Sequence, residues 1–238
     1  MSGLLHQPGL RPSALLPVPT TIPTRSKESW YELGWPGFES RVPCVDIEVF
    51  DDSGSVASPQ GNDPVGGRYR EATRALKVVR AWTHTSKPKV AILHFDDPVG
   101  ASGVMPLIGA TTPARLKAAL QVPWGGAGTS DLSPSLSSAE RIASAHSDHD
   151  VRLTIFSDFE ITDRDPSAVF ERLRAFPGWV HAVVFNAEPP IELEADNITV
   201  TQVVSGDPVG SVAAAVHRSL TATRRGARGS LLRVGVRR

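Results

Sequence analysis

The chain has 238 residues in which 25 Lys and Arg balance 25 Asp and Glu, so no net field draws it to nucleic acid or to a membrane surface. With 40% apolar and 21% charged residues, its composition is that of a globular domain rather than a disordered or fibrous chain. The single cysteine, Cys44, excludes an intramolecular disulfide framework and reads as a small core hydrophobe.

Residues 1–27 are rich in Pro, Thr and Leu without period, and prolines at Pro8, Pro12, Pro17, Pro19 and Pro23 interrupt every apolar run. They read as a flexible arm, neither a signal peptide nor a membrane span, and a cytoplasmic, bacterial-type protein is expected. In residues 28–43, Trp30, Tyr31, Trp35 and Phe38 crowd together and are expected to pack on the domain that follows.

The domain itself is read over residues 44–223. Its first strand, residues 45–50, alternates apolar Val45, Ile47 and Val49 with Asp46 and Glu48. Two carboxylates in a central strand require either an exposed strand end or Arg partners. A polar loop over 54–67 leads to a helix over 68–83, marked by Ala72, Ala75, Leu76, Val79 and Trp82 at helical spacing. Strands are expected at 89–95 and 104–110, and helices at 113–121 and 132–145, the latter with Ser133 or Ser135 as cap. The apolar run 151–156 reads as a strand and 166–176 as a helix capped by Asp165. Strands at 180–185 and 198–204 and a final helix at 209–223 complete the pattern. Six Arg residues mark a tail over 224–238, read as flexible and solvated.

Strands alternating with helices predict a doubly wound, mostly parallel sheet with helices on both faces. The segment 104–110 follows its predecessor without a helical crossover and is therefore expected as an antiparallel edge strand. In such a sheet, ligands bind beyond the carboxyl ends of the strands. Three segments deliver oxygen ligands there: Asp51, Ser53 and Ser55 after the first strand; Thr129 in the Gly-rich loop 125–131; and Asp158 after the 151–156 strand. Hard oxygen donors of this kind suit Mg²⁺, Mn²⁺ or Ca²⁺ rather than zinc.

The order Asp-x-Ser-x-Ser, then Thr in a Gly-rich loop, then a strand-terminal Asp resembles the metal-ion-dependent adhesion site of von Willebrand factor type A domains. The resemblance spans residues 44–223. The first motif matches fully, the Thr loop is longer than the common Gly-Gly-Thr-Asp-Leu form, and Ser157-Asp158-Phe159 stands where Thr-Asp-Gly is usual. The resemblance implies a Rossmann-like fold and a metal site of Asp51, Ser53, Ser55, Thr129 and Asp158, with Mg²⁺ as occupant and Mn²⁺ or Ca²⁺ as alternatives. It also implies a rim of Asp52, Gly128, Ser130 and Phe159 around an open coordination position, which takes an Asp or Glu from a protein partner. Intracellular relatives often work beside an AAA+ ATPase or inside multi-protein complexes. The final helix closes the sheet, and the resemblance adds that it shifts in some relatives.

The rival reading is a metal-dependent phosphoryl hydrolase on a similar sheet. That chemistry wants a second carboxylate at the position of Ser53 and a Lys or Arg reaching the transferring phosphoryl group; Ser53 stands at that position and no Lys lies near the loops. His146 and His149 read as a solvated helix end rather than a metal pair.

Overall fold

A computed structural model of the chain describes residues 29–58, 61–63, 67–95, 99–123, 128–228 and 233–236. Residues 1–27 and residues 125–127 of the Gly-rich loop lie outside the described residues. The main sheet contains β2 (Cys44–Phe50), β3 (Pro88–His94), β4 (Met105–Pro106), β5 (Asp150–Ser157), β6 (Trp179–Phe185) and β7 (Ile198–Val203), in the order β4-β3-β2-β5-β6-β7. All pairings are parallel except β3 with β4. The helices are α1 (Gly54–Ala57), α2 (Arg68–Ala81), α3 (Thr112–Ala119), α4 (Ser133–Ala145), α5 (Pro166–Arg174) and α6 (Ser211–Thr221). This is the expected doubly wound fold with one antiparallel edge. The edge strand is shorter than expected, because Pro106 offers no N–H and Thr112 turns the chain into α3 by bonding the Pro106 carbonyl.

β2 is buried along its whole length because both faces of the central strand are covered. Val45, Ile47 and Val49 pack with Leu132, Leu136 and Ala139 and with Val169, Phe170 and Leu173 beneath α4 and α5. The opposite face carries Asp46, Glu48 and Phe50 under α2 and α6. Phe50 joins the apolar cluster there with Ala72, Leu76, Val212 and Val216. Asp46 resolves one of the two carboxylates by binding Arg152 through Nε at 2.6 Å and Nη2 at 2.8 Å. Glu48 is 1% exposed and neither carboxylate oxygen has a hydrogen-bond partner. Burial pushes its carboxyl well above the usual range, and neighbouring Asp46 adds to the effect.

Helix ends are satisfied partly from a distance. Asp165 caps α5 as expected, accepting from Ala168 N. Neither Ser133 nor Ser135 caps α4; Asp163, thirty residues downstream, accepts from Leu132 N at 2.7 Å and Ser133 N at 3.0 Å. Glu71 of α2 performs the same service for α6, accepting from Gly210 N and Ala213 N. Gly210 has φ +102°, and a Cβ there would lie 2.5 Å from Tyr31 Cγ, so the close approach of the aromatic segment requires glycine.

The two ends of the described chain meet. β1 (Ser29–Glu32) pairs antiparallel with β8 (Arg233–Val236), Arg228 N donates to Trp35 O, and Phe38 and Arg225 exchange two backbone bonds. Arg224, expected in a solvated tail, is buried instead: its guanidinium donates to Pro36 O, Gly37 O, Trp82 O and Thr83 Oγ1. Within the aromatic 28–43 segment Tyr31 is buried at 4% exposed, whereas Phe38 is 63% exposed. Residues 229–232 of the tail lie outside the described residues. No helix among the described residues is long and apolar enough to cross a membrane.

Candidate metal centre

β2 and β5 are adjacent and in register, Phe50 opposite Phe156, so their carboxyl ends stop at the same level. Asp51 and Asp158 follow directly at that edge. Asp51 N donates to Phe156 O, which extends the ladder by one residue and fixes the start of the loop. The loop then turns back on itself: Asp51 Oδ1 accepts from Ser53 N at 2.8 Å, and Val56 N and Ala57 N bond to Ser53 O. Val56 is fully buried and anchors α1 in the core. The alternation expected for Asp-x-Ser-x-Ser holds, because Ser53 Oγ and Ser55 Oγ lie 3.0 Å apart.

The Gly-rich loop reaches the same place through a parallel bridge between Ser53 and Gly128, supported by Gly128 N donating to Asp52 O at 3.1 Å. Thr129 is the next residue and is exposed; its Oγ1 accepts from Asp131 N. Ser130 O accepts from Thr162 N, tying this loop to the segment after β5. All three predicted segments therefore converge on one edge of the sheet.

The carboxylates are held from below. Ser157 Oγ donates to Asp51 Oδ2 at 2.6 Å and accepts from Phe159 N. Asp158 Oδ2 accepts from Asn62 Nδ2 at 2.9 Å and Oδ1 from Glu160 N. Burial pushes the Asp51 carboxyl up to about 6, against the lowering pull of Ser157 and Ser53, and nearby Asp158 adds to the rise. A buried acid in this state favours a bound cation as counter-charge. Among the described residues no group of three or more His, Cys, Asp or Glu is placed to hold a metal ion; the donors gathered at this edge are two carboxylates and neutral hydroxyls. Ser53 Oγ and Ser55 Oγ are hydrogen-bonded to each other at 3.0 Å, a spacing that adjacent ligands of an octahedral ion with metal–oxygen distances of about 2.1 Å would also have.

Two residues expected at the rim are placed elsewhere. Asp52 is 2% exposed and points into the protein, where Arg68 Nη2 (2.7 Å), Tyr69 OH and His94 Nδ1 (2.5 Å) converge on it. His94 is fully buried, and its Nε2 bonds the Ala119 carbonyl. Asp52 thus ties the Asp51–Ser55 loop to α2, β3 and the end of α3 rather than facing outward. Phe159 is 5% exposed and packs in the core with Leu132 and Val169. Its φ of +58° is the left-handed conformation that glycine adopts freely. Phe159 holds at the position of the usual Thr-Asp-Gly glycine a backbone costing roughly 1 kcal/mol, offset by ring burial. Gly128 and Ser130 remain at the surface edge.

Sequence reasoning missed Asn62, Arg68, Tyr69 and His94 as supports. Ser157, in the Ser157-Asp158-Phe159 motif, supports the site by its bond to Asp51. His146 and His149 pack ring edge to face at 5.1 Å, with His146 Nδ1 on the Ile142 carbonyl and His149 Nδ1 on the exposed Asp148; the His149 side chain is only 10% exposed, less solvated than expected.

The fold decides the comparison with known structures. The chain has the von Willebrand factor type A fold. Von Willebrand factor type A from Catenulispora acidiphila superposes with a TM-score of 0.53 at 13% identity, covering 84% of this chain and 51% of that one. Proximal thread matrix protein 1 from the mussel byssus gives 0.55 at 12% identity, over 86% of this chain and 51% of that one. The pilus adhesin SpaC from Lactobacillus rhamnosus GG gives 0.54 at 11% identity, over 78% and 30%. This von Willebrand factor type A-like chain thus spans about half or less of each of these three structures' length. No protein-family model and no curated protein sequence matches it.

Proposed function

We propose that this chain is a divalent-cation-dependent protein-interaction module rather than an enzyme. Asp51, Ser53, Ser55, Thr129 and Asp158 hold one Mg²⁺, with Mn²⁺ or Ca²⁺ as substitutes. When bound, the ion offers a Lewis-acidic position to a carboxylate from a partner protein. The observation that carries the reading is the convergence of two mutually hydrogen-bonded serine hydroxyls, the Thr129 loop and two buried, hydrogen-bonded carboxylates on one sheet edge. The protein's own contribution is positioning. Ser157 and Asn62 fix the two carboxylates, the Asp52 cluster fixes the loop, and the neutral hydroxyls leave the ion weakly neutralised and so attractive to an outside acid. The arrangement favours binding over phosphoryl transfer, because Arg68, which reaches the Asp51 carbonyl, is already committed to Asp52 and Asp63.

A complex subunit or an AAA+ ATPase inside a bacterial cell is the partner class this reading favours. Titration calorimetry with MgCl₂ and MnCl₂ tests the site: wild type takes up one ion, while Asp51→Ala and Asp158→Ala take up none although they remain folded. Equal uptake by wild type and both variants refutes the assignment. An affinity pull-down in Mg²⁺ against EDTA then tests whether capture of partners depends on the ion.

A further inference from the structure

Helix α2 and the α3 segment line a groove of about 410 Å³. Its lining repeats one pattern twice. α2 contributes Thr73, Leu76, Lys77 and Arg80, and the α3 segment contributes Pro113, Leu116, Lys117 and Leu120, in each case at positions i, i+3, i+4 and i+7. Two facing stripes of two turns make a trough about 10 Å long. Leu76, Leu116 and Leu120 form its floor and belong to the core on that face of the sheet. Lys77 and Lys117 are exposed on opposite walls. Arg80 adds a third cation, and its Nε is buried without a hydrogen-bond partner, a donor that a bound acceptor would satisfy.

The charge is one-sided. α3 contains no Asp or Glu, and the single acid of α2, Glu71, is committed to the backbone of α6. We propose that this trough is a second, metal-independent docking site for a partner's amphipathic helix of about two turns. That helix would place Leu-type residues at i and i+3 or i+4 on the leucine floor, with Asp or Glu on its flanks facing Lys77, Arg80 and Lys117. A third helix laid between two others matches the trough's length and its apolar floor, in the helix-in-groove mode. The chain's own ends do not fit, because residues 1–27 and 229–238 contain no Asp or Glu and would bring only cations to a cationic wall.

The probe is a fluorescein-labelled fourteen-residue peptide of Leu, Glu and Ala with Leu at i, i+3, i+4 and i+7, against the same peptide with Lys in place of Glu. Binding to the full chain is read by fluorescence polarisation in Mg²⁺ and in EDTA. The acidic peptide binds equally in both buffers, the basic peptide does not bind, and K77E/K117E weakens the acidic peptide at least about tenfold. R80Q weakens it as well. Both lysines are exposed, so an unchanged circular dichroism melt for K77E/K117E separates lost docking from lost folding. The proposal is overturned if the acidic peptide does not bind, if both peptides bind alike, or if charge reversal leaves affinity unchanged. Sedimentation showing self-association that K77E/K117E abolishes makes a second copy the occupant, and reversal-sensitive binding of dodecanoate without the peptide makes the trough a small-molecule pocket; either result overturns the helix. Loss of ion uptake at Asp51 and Asp158 with peptide docking intact would strike the metal reading alone.

Discussion

His181 on β6 gives the sharpest quantitative expectation. It is 7% exposed, and its Nε2 lies 2.8 Å from Thr201 Oγ1, which also accepts from Arg218 Nη1 at 3.1 Å. Burial lowers the imidazole from 6.5 to about 4, and the Arg218 charge assists. The native ring is therefore neutral at a pH where the unfolded chain's ring is charged. Because the folded value is depressed, the unfolded state binds the extra proton between about pH 6.5 and 4. Stability is full above 6.5, falls as pH drops through that window, and stops falling on this account below 4. Linkage sets the loss from this one residue at about 2.5 kcal/mol by pH 4.5. Urea denaturation followed by tryptophan fluorescence at pH 7.5, 6.0, 5.0 and 4.5 measures it, with His181→Gln as reference. Glutamine's amide can donate to or accept from Thr201 and does not titrate, so subtracting its curve removes every other group. The wild-type-minus-variant difference should change by about 2–3 kcal/mol across the series. Parallel curves would show that the ring charges in place and that the argument from burial fails.

Asp46→Ala leaves Arg152 buried without its carboxylate and should cost about 3–5 kcal/mol, whereas Asp46→Leu with Arg152→Met should recover most of that loss in chemical denaturation. Glu48 has the opposite pH sign to His181: its folded value is raised, so wild-type stability declines as pH rises above the ordinary glutamate range. Glu48→Gln should remove that decline, and thermal melts at pH 5 and 8.5 should converge for the variant and diverge for wild type. Arg224→Met strips donors from three backbone carbonyls and should cost about 2–4 kcal/mol, with protease cleavage appearing first within residues 33–43. Saturating Mg²⁺ at one hundred times Kd should stabilise wild type by about 2.7 kcal/mol and leave Asp158→Ala unmoved in a thermal-shift assay.

The parts of the fold that depend on local pattern were legible in the sequence. The alternation at Val45, Ile47 and Val49 and the helical spacing of Ala72, Ala75, Leu76 and Val79 placed both elements within two residues of their observed limits. The order of the three oxygen-bearing segments also sufficed to bring them to one sheet edge. What the sequence hid was long-range. The cap of α4 comes from Asp163 and the cap of α6 from Glu71, and no local signal marks an acid that serves another element. Asp52 looked like an exposed loop acid because its three partners lie between 16 and 42 residues away. The strand at Arg233–Val236 was hidden because its partner lies some two hundred residues earlier, and an Arg-rich composition reads as solvated tail. Phe159 shows the limit most plainly: its sequence position suggests a rim, and only the path of the backbone reveals a ring turned inward.

The antiparallel closure of the two ends has a mechanical consequence. Ser29 pairs with Val236 and Glu32 with Arg233, and the Trp35–Arg228 and Phe38–Arg225 bonds continue the same run inward. Tension applied through the chain on either side of this run loads its bonds one after another, from the outside in, so it opens as a zipper does. Shearing would require all of them to break together. A modest pull would therefore peel residues 29–38 away from 225–236 and reach Arg224, the deeper clasp, before any strand of the central sheet feels the load. Below that force the domain is a closed unit; above it, the aromatic segment is paid out as slack while the carboxyl-end edge of β2 and β5 stays folded.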